Sequence, residues 1–399
     1  MRALDLLSGL MAAHVLYTAL RAWRSGKAAR SRTAAHPLSD RRAPSGITVL
    51  IPAWNDARVL LPTLNACFAE AGRFPGPVQV IVIAGGPDGS FSLARQLVAA
   101  AQSVRTGLSA EVLLQPPAGK NAALNLGLRA ARHEVLVVLD ADTVVSPGWL
   151  AALTGPVLRG EVGASTGRFR AGLQTPVSRV FELQQFVNQE LRAGVTLFGG
   201  SSIALSRQTL NLIGGIFPED VPVGVDFDLS ERIRGAGQRL AYCPDAEVVT
   251  EISSTWPEYW RGERRWQRAF LAAQRRHLVA NRTSGRLLAL VYVPAVYAAL
   301  LTGWLIAPVV ALWAGLGAQA GLLIWLAFIG WVLGRHACTC LEAQAADPAG
   351  RWLQLVPASV VGFCVSGAAT WAALLQRGPA SPHFKGRRDA EPLGSGVSP

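Results

Sequence analysis

Four short β-branched runs, spaced by segments long enough for a helix, constrain this chain more than any other feature. They are Ile47-Thr-Val-Leu-Ile51, Val78-Gln-Val-Ile-Val-Ile83, Glu111-Val-Leu-Leu114 and Val135-Leu-Val-Val-Leu139. Runs that are apolar throughout suit strands buried on both faces, and parallel strands need a long crossover between them. The pattern predicts an open α/β domain, a parallel sheet covered by helices, with its ligand at the carboxyl ends of the strands.

The residues that follow the runs point the same way. The first run continues into Pro52-Ala-Trp-Asn-Asp56 and the second into Ala84-Gly-Gly-Pro-Asp-Gly-Ser90. The third is followed by Gly119-Lys-Asn-Ala-Ala-Leu-Asn-Leu-Gly-Leu128, and the fourth ends on Asp140-Ala141-Asp142. Polar or Gly-rich loops thus share one edge of the sheet, as a nucleotide pocket requires. Two carboxylates at alternate positions can reach one hard cation, and Mg²⁺ or Mn²⁺ is commonly held by one or two carboxylates together with substrate phosphates. Taken alone, the tripeptide also fits a solvated turn in which Asp142 caps the next helix. Its place beside three polar loops favours the cation.

As a set these motifs resemble the family 2 glycosyltransferases. The resemblance runs from about Ile47 to Phe270 and includes two later segments. Gly199-Gly-Ser-Ser-Ile-Ala-Leu-Ser-Arg207 matches the family's acceptor-side Gly-Ser strand, and Val225-Asp-Phe-Asp-Leu-Ser-Glu-Arg-Ile233 matches its Glu-Asp-x-Asp-Leu motif. The resemblance implies a GT-A-like, Rossmann-type nucleotide-sugar-binding domain, and the apolar runs on either side of it imply N-terminal and C-terminal transmembrane helices. It implies a UDP-sugar donor held by Pro52, Ala53, Asp56, Asp88, Lys120, Asp140, Ala141 and Asp142. Asp56 and Asp88 would contact the uridine, Lys120 the nucleotide, and Asp140 and Asp142 the sugar, phosphate and metal. Asp226 takes the place of the catalytic base, because an acceptor hydroxyl must lose a proton as it attacks the anomeric carbon. Gly200, Ser201, Arg265 and Trp266 fall on the acceptor or diphosphate side.

Two departures from the family pattern stand out. The usual Asp-Asp pair after the second strand is here Gly85-Gly86-Pro87-Asp88, which keeps only Asp88. Where polymer-making members carry Gln-x-x-Arg-Trp, this chain has Gly262-Glu-Arg-Arg265-Trp266, which loses the glutamine.

Outside the α/β block the sequence changes character. Half of all residues are hydrophobic and 16% are charged, below the roughly 25% of soluble domains. The net charge of +12 is concentrated between Arg21 and Arg42 and between Arg261 and Arg286, beside apolar runs. That is how cytoplasmic flanks of membrane helices look, and no nucleic-acid fold signature accompanies it. The expected division is an N-terminal anchor at 1–23, a basic linker at 24–46, the transferase domain at 47–255, an amphipathic interfacial segment at 256–286, a transmembrane region of about three helices at 287–375 and a basic tail at 376–399. Pro294 and Pro308 leave open whether the run from Leu287 to Trp313 spans or re-enters. In 256–286, Trp256, Tyr259, Trp260, Trp266 and Phe270 interleave with arginines, which suits a membrane interface with or without a part in the site. Five scattered cysteines give no disulfide framework, and Cys338-Thr339-Cys340 has no second pair to complete a zinc site.

The function expected is an inverting, metal-dependent transfer of one sugar to a lipid-like acceptor at the cytoplasmic membrane face. A processive polysaccharide synthase and a non-catalytic membrane scaffold of the same fold are the two alternatives.

Overall fold

A computed structural model describes residues 46–105, 107–191, 201–219, 221, 225–280, 301–303, 305–306, 309–310, 312–315 and 317–376. The expected N-terminal anchor and basic linker, the basic tail beyond Gln376 and most of the run from Leu287 to Trp313 lie outside them. The described residues divide into two compact units.

The first unit takes residues of 46–172 and 201–251. Its chain runs β1 (Ile47–Trp54), α1 (Ala57–Arg73), β2 (Val78–Gly85), α2 (Ser90–Val104), β3 (Ser109–Leu114), α3 (Lys120–Ala130), β4 (Val135–Leu139), β5 (Thr143–Val145), α4 (Trp149–Leu158) and β6 (Ala164–Ala171). After α5 (Pro176–Phe186), which belongs to the second unit, come β7 (Ser202–Ser206), α6 (Arg207–Leu212), α7 (Val225–Gly235) and β8 (Leu240–Thr250). The eight strands form one sheet in the order β3-β2-β1-β4-β7-β6-β8-β5. The four strands expected from sequence are there, and β4 coincides with the run that announced it. β1 to β4 pair in parallel as expected, whereas β7 joins β4 and β6 antiparallel, so the whole sheet is mixed.

Burial follows the pattern of the runs. All eight residues of β2 are buried, and Leu50, Ile81, Ile83, Leu124, Leu136, Leu205, Phe217 and Ile233 join one core. Each such aliphatic side chain contributes roughly 1.5–3 kcal/mol when taken out of water. Helix α3 lies close to the sheet because Gly127 faces it: a Cβ there would stand 2.9 Å from Ile83 Cδ1 and 3.0 Å from Leu50 Cδ2. The glycine inside the Asn-Leu-Gly stretch is therefore a packing residue.

The second unit takes residues of 173–191 and 252–376. It holds α5, α8 (Trp256–Ala280), α9 (Gly317–Ala346) and α10 (Val356–Leu375). Thr175 and Ser178 form a reciprocal capping box at the start of α5. The core has Leu183, Phe186, Val187, Cys340, Ala343, Trp352 and Leu355, with the Phe186 and Trp352 rings stacked at 5.4 Å. Two stretches, Gly317–Ala346 and Trp352–Leu375, are long and apolar enough to cross a membrane. Helix α9 continues well past Gly334, where the apolar run ends. Arg335 and His336 interrupt hydropathy but do not break a helix, and good helix formers follow them.

Candidate active site

The order β3-β2-β1-β4 places β1 between β2 and β4, so the chain steps outward from β1 to β2 and β3 and then returns past β1 to β4. This is the switch point at which open α/β sheets bind ligands. β1 pairs with β4 only from Ile47 to Leu50, while it stays paired with β2 as far as Trp54. Pro52, which has no N–H to offer, and Ala53 are buried and lie past the last pair with β4. The two strands thus part just where their carboxyl-end loops begin.

Those loops are tied together. Asn55 has a left-handed φ of 58°, which asparagine tolerates better than most residues, and it turns the chain out of β1. Asp56 is buried, and its Oδ2 accepts from Trp54 N–H at 3.0 Å. Its own N–H donates to Ser90 Oγ at 2.9 Å. Asp88 Oδ1 accepts from Ser90 N–H (3.0 Å) and Ser90 O–H (2.7 Å), and Asp88 Oδ2 accepts from Ala57 N–H at 2.9 Å. One carboxylate therefore caps the starts of both α1 and α2, where the helix dipoles favour negative charge. The missing aspartate of the family pair also has a steric reason. Gly86 has a φ of 103°, and a Cβ there would overlap Asn55 Oδ1; at Gly85 a Cβ would stand 2.7 Å from the Gln115 carbonyl oxygen.

At the end of β4, Asp140 N–H donates to the Ser201 carbonyl at 2.9 Å, and Ala141 is buried between the two aspartates. Lys120, the first residue of α3, places Nζ 2.5 Å from Asp140 Oδ1. Asp142 Oδ1 accepts from the Thr143 hydroxyl at 3.4 Å. No group of three or more His, Cys, Asp or Glu side chains able to hold a metal occurs among the described residues. The two carboxylates fit a hard divalent cation that takes its remaining ligands from a diphosphate and water. The Lys120 ammonium lies against one of them.

Asp226 stands half-buried in the first turn of α7. Its carbonyl accepts from Ser230 Oγ at 2.6 Å, and the fully buried Asp228 pairs with Arg232 at 2.6 Å. Gly200 lies outside the described residues. Ser201 is buried and meets Asp140 as described. Arg265 and Trp266 belong to the second unit, on α8. There the Trp266 ring stacks on Phe181 at 5.0 Å, with the Arg265 guanidinium 5.6 Å from the same ring.

Three features went unread in the sequence. Ser90 bridges Asp56 and Asp88, and its signal is its position as first residue of a helix after Gly89. Asn121 and Asn125 stand four apart on one face of α3, a spacing that marks a shared target. Glu263, taken for part of a degenerate motif, is a buried acid. Burial raises its carboxyl above the usual range, against hydrogen bonds from Ser366, Gln267 and Tyr259.

Residues 44–269 match the family model described as "Glycosyltransferase like family 2". Among curated relatives, a Bacillus subtilis protein named "Probable glycosyltransferase YdaM" is 26% identical over 56% of this chain and 54% of its own length. An N-acetylglucosaminyltransferase of Rhizobium leguminosarum is 24% identical over 64% of this chain and 62% of its own. The match thus spans about half the length of these relatives. Among solved structures, a mannosyltransferase from Pyrobaculum calidifontis, in complex with GDP-Man and Mn²⁺, is 20% identical with a TM-score of 0.54 and covers 93% of this chain and 98% of that one. This likeness shows a shared fold.

Proposed function

The chain belongs to the glycosyltransferase-like family 2, and from that premise we propose that it transfers one sugar from a nucleotide-sugar, a UDP-sugar by its motifs, to a lipid-like acceptor with inversion at the anomeric carbon. The observation that carries this reading is the pair Asp140 and Asp142 at the switch point, faced by Lys120 at the uncapped start of α3. The α3 N-terminus has no acidic residue in its first turn and offers backbone N–H groups that suit a diphosphate. Asp140 and Asp142 would hold Mg²⁺ or Mn²⁺, which offsets the negative charge that grows on the departing diphosphate.

The remaining work falls to residues of the chain. Asp56, with its loop fixed by Ser90 and Asp88, borders the nucleoside end. Asp226 accepts the proton of the acceptor hydroxyl while that oxygen bonds to the anomeric carbon and the bond to the diphosphate breaks. The lipid acceptor is supported by α9 and α10, whose length and composition suit a bilayer, and by Arg261 and Arg264, which are exposed on α8. On this reading the catalytic domain faces the cytosol.

The test combines wild type and Asp226→Asn, each given a panel of UDP-sugars, Mn²⁺ and total lipid extract, with products read by mass spectrometry. Wild type is expected to yield a lipid carrying one sugar. Asp226→Asn should lose about 10²–10⁴-fold in turnover while still binding UDP, since an amide keeps the shape but accepts no proton. Long polysaccharide from UDP-sugar alone would favour the processive synthase. Failure of wild type to bind UDP with Mn²⁺ would sharply favour the scaffold.

A further inference from the structure

Helix α3 presents a second set of groups besides Lys120. Asn121 and Asn125 are buried, and their amides are bonded to Phe217, Pro218, Glu219 and Val221. Asn125 Nδ2 donates to the Phe217 carbonyl (2.9 Å) and to Glu219 Oε1 (2.8 Å), while Asn125 Oδ1 accepts from Phe217 N–H at 2.8 Å. Asn121 Nδ2 donates to the carbonyls of Pro218 (2.5 Å) and Val221 (3.2 Å). Two side chains thus do for these residues what a neighbouring strand does for a strand. Burying amides costs free energy unless they are hydrogen-bonded, so a face that served packing alone would be better filled by Leu or Ala.

Phe217, held in this way, shares a buried core with Leu229 and Ile233 of α7, whose first turn carries Asp226. The same α3 begins at Lys120, which is paired with Asp140. One short helix therefore touches both the donor corner and a residue packed with the helix of the proposed base. We infer that Asn121 and Asn125 are positioning residues for the transfer step: they fix the start of α7, and with it Asp226, relative to the carboxylates at the end of β4. The inference rests on the role proposed above for Asp226. A misplacement of about 1 Å in such a group can cost on the order of 100-fold in rate.

Asn125→Asp tests it. The variant keeps its size and its acceptor for Phe217 N–H, but sets a carboxylate against the Phe217 carbonyl and the Glu219 carboxylate. Single-turnover rate, Mn²⁺-dependent UDP affinity by calorimetry and thermal stability are measured together. The expected result is a rate lowered by about 10- to 100-fold with UDP affinity within about twofold of wild type. Adding Glu219→Gln to Asn125→Asp should recover part of the rate, because an amide at 219 can donate to the new carboxylate. Should Asn125→Asp fail to fold, Asn121→Ala and the exposed-site Glu219→Ala carry the same split at smaller amplitude. The inference is overturned if these variants turn over like wild type, or if UDP affinity falls in step with the rate. A normal rate in Asp226→Asn would instead overturn the proposed function, whatever the asparagines do.

Discussion

The two units differ in where their large aliphatic side chains lie. In the sheet unit the large aliphatic side chains are inside, with Leu50, Ile81 and Leu136 at 0% exposure, and the polar groups buried with them, such as Gln79 and Asp228, have polar partners. In the helical unit Leu322, Leu323 and Leu326 are exposed at 55%, 60% and 52%, while Glu263, Glu342 and Gln185 are buried. The first pattern is that of a domain folded in water. The second has an apolar outside along Gly317–Ala346, one of the two stretches long and apolar enough to cross a membrane. One unit carries Asp140, Asp142 and Asp226, and the other carries the exposed aliphatic surface.

The largest expected effect comes from striking the chemistry alone. Asp142→Ala removes one of two hard oxygen ligands at the end of β4, and should lower Mn²⁺-dependent UDP affinity by about 100-fold or more. Because Asp142 lies at a strand end and outside the core, the melting temperature should barely move. Unchanged affinity in a calorimetric titration would sink the metal assignment. A large loss of stability would show that the sheet unit does not separate site from scaffold as its burial suggests.

The same contrast explains what could be read in the sequence. β1, β2 and β4 were legible because strands buried on both faces leave uninterrupted apolar runs. β6 and β8 were not, since Ala-Ser-Thr-Gly-Arg-Phe-Arg-Ala and Leu-Ala-Tyr-Cys-Pro-Asp-Ala-Glu-Val-Val-Thr show neither a run nor a clean alternation. The site was legible as a set of loops, but not in its wiring. Nothing in a one-dimensional string says that Asp88 caps two helices or that Asn125 reaches Phe217, because those partners are 31 and 92 residues apart at their widest. In the helical unit the aromatic and basic pattern suggested an interface. The structure adds that Tyr259 is buried and that its hydroxyl accepts from Gln184 at 3.2 Å, so part of that pattern serves packing.

Glu263 sharpens the comparison from the other side. Burial raises its carboxyl in the folded state, so its contribution to stability is fully present below about pH 4.3, the unfolded value, and is lost as pH rises through the folded value. Above that range the folded helical unit holds a buried charge. Glu263→Gln keeps the hydrogen bonding of the neutral form without that charge. It should stabilise the protein at neutral pH by on the order of 1 kcal/mol and have little effect near pH 4. Thermal unfolding of both proteins across pH 4 to 8 reads the difference. A gap that stays constant with pH would mean that Glu263 is not titrating within the fold.

The smallest effect concerns the glycine that replaces the family's glutamine. Gly262 lies inside α8, and a Cβ there would meet Ser253 Oγ at 3.5 Å and the Trp266 ring at 3.6 Å, both ordinary contacts. Glycine inside a helix costs about 0.5–1 kcal/mol relative to alanine, mainly through the freedom it has when unfolded. Gly262→Ala should therefore raise stability by about that amount, a shift of roughly 1–4 °C in melting temperature. Gly86 in the sheet unit offers the contrast, because its left-handed φ and the nearness of Asn55 leave no room for a side chain. If Gly262→Ala lowered stability instead, the space beside Trp266 would be tighter than the geometry gives. The glycine would then be a packing requirement of α8, and the lost glutamine would need no functional reason.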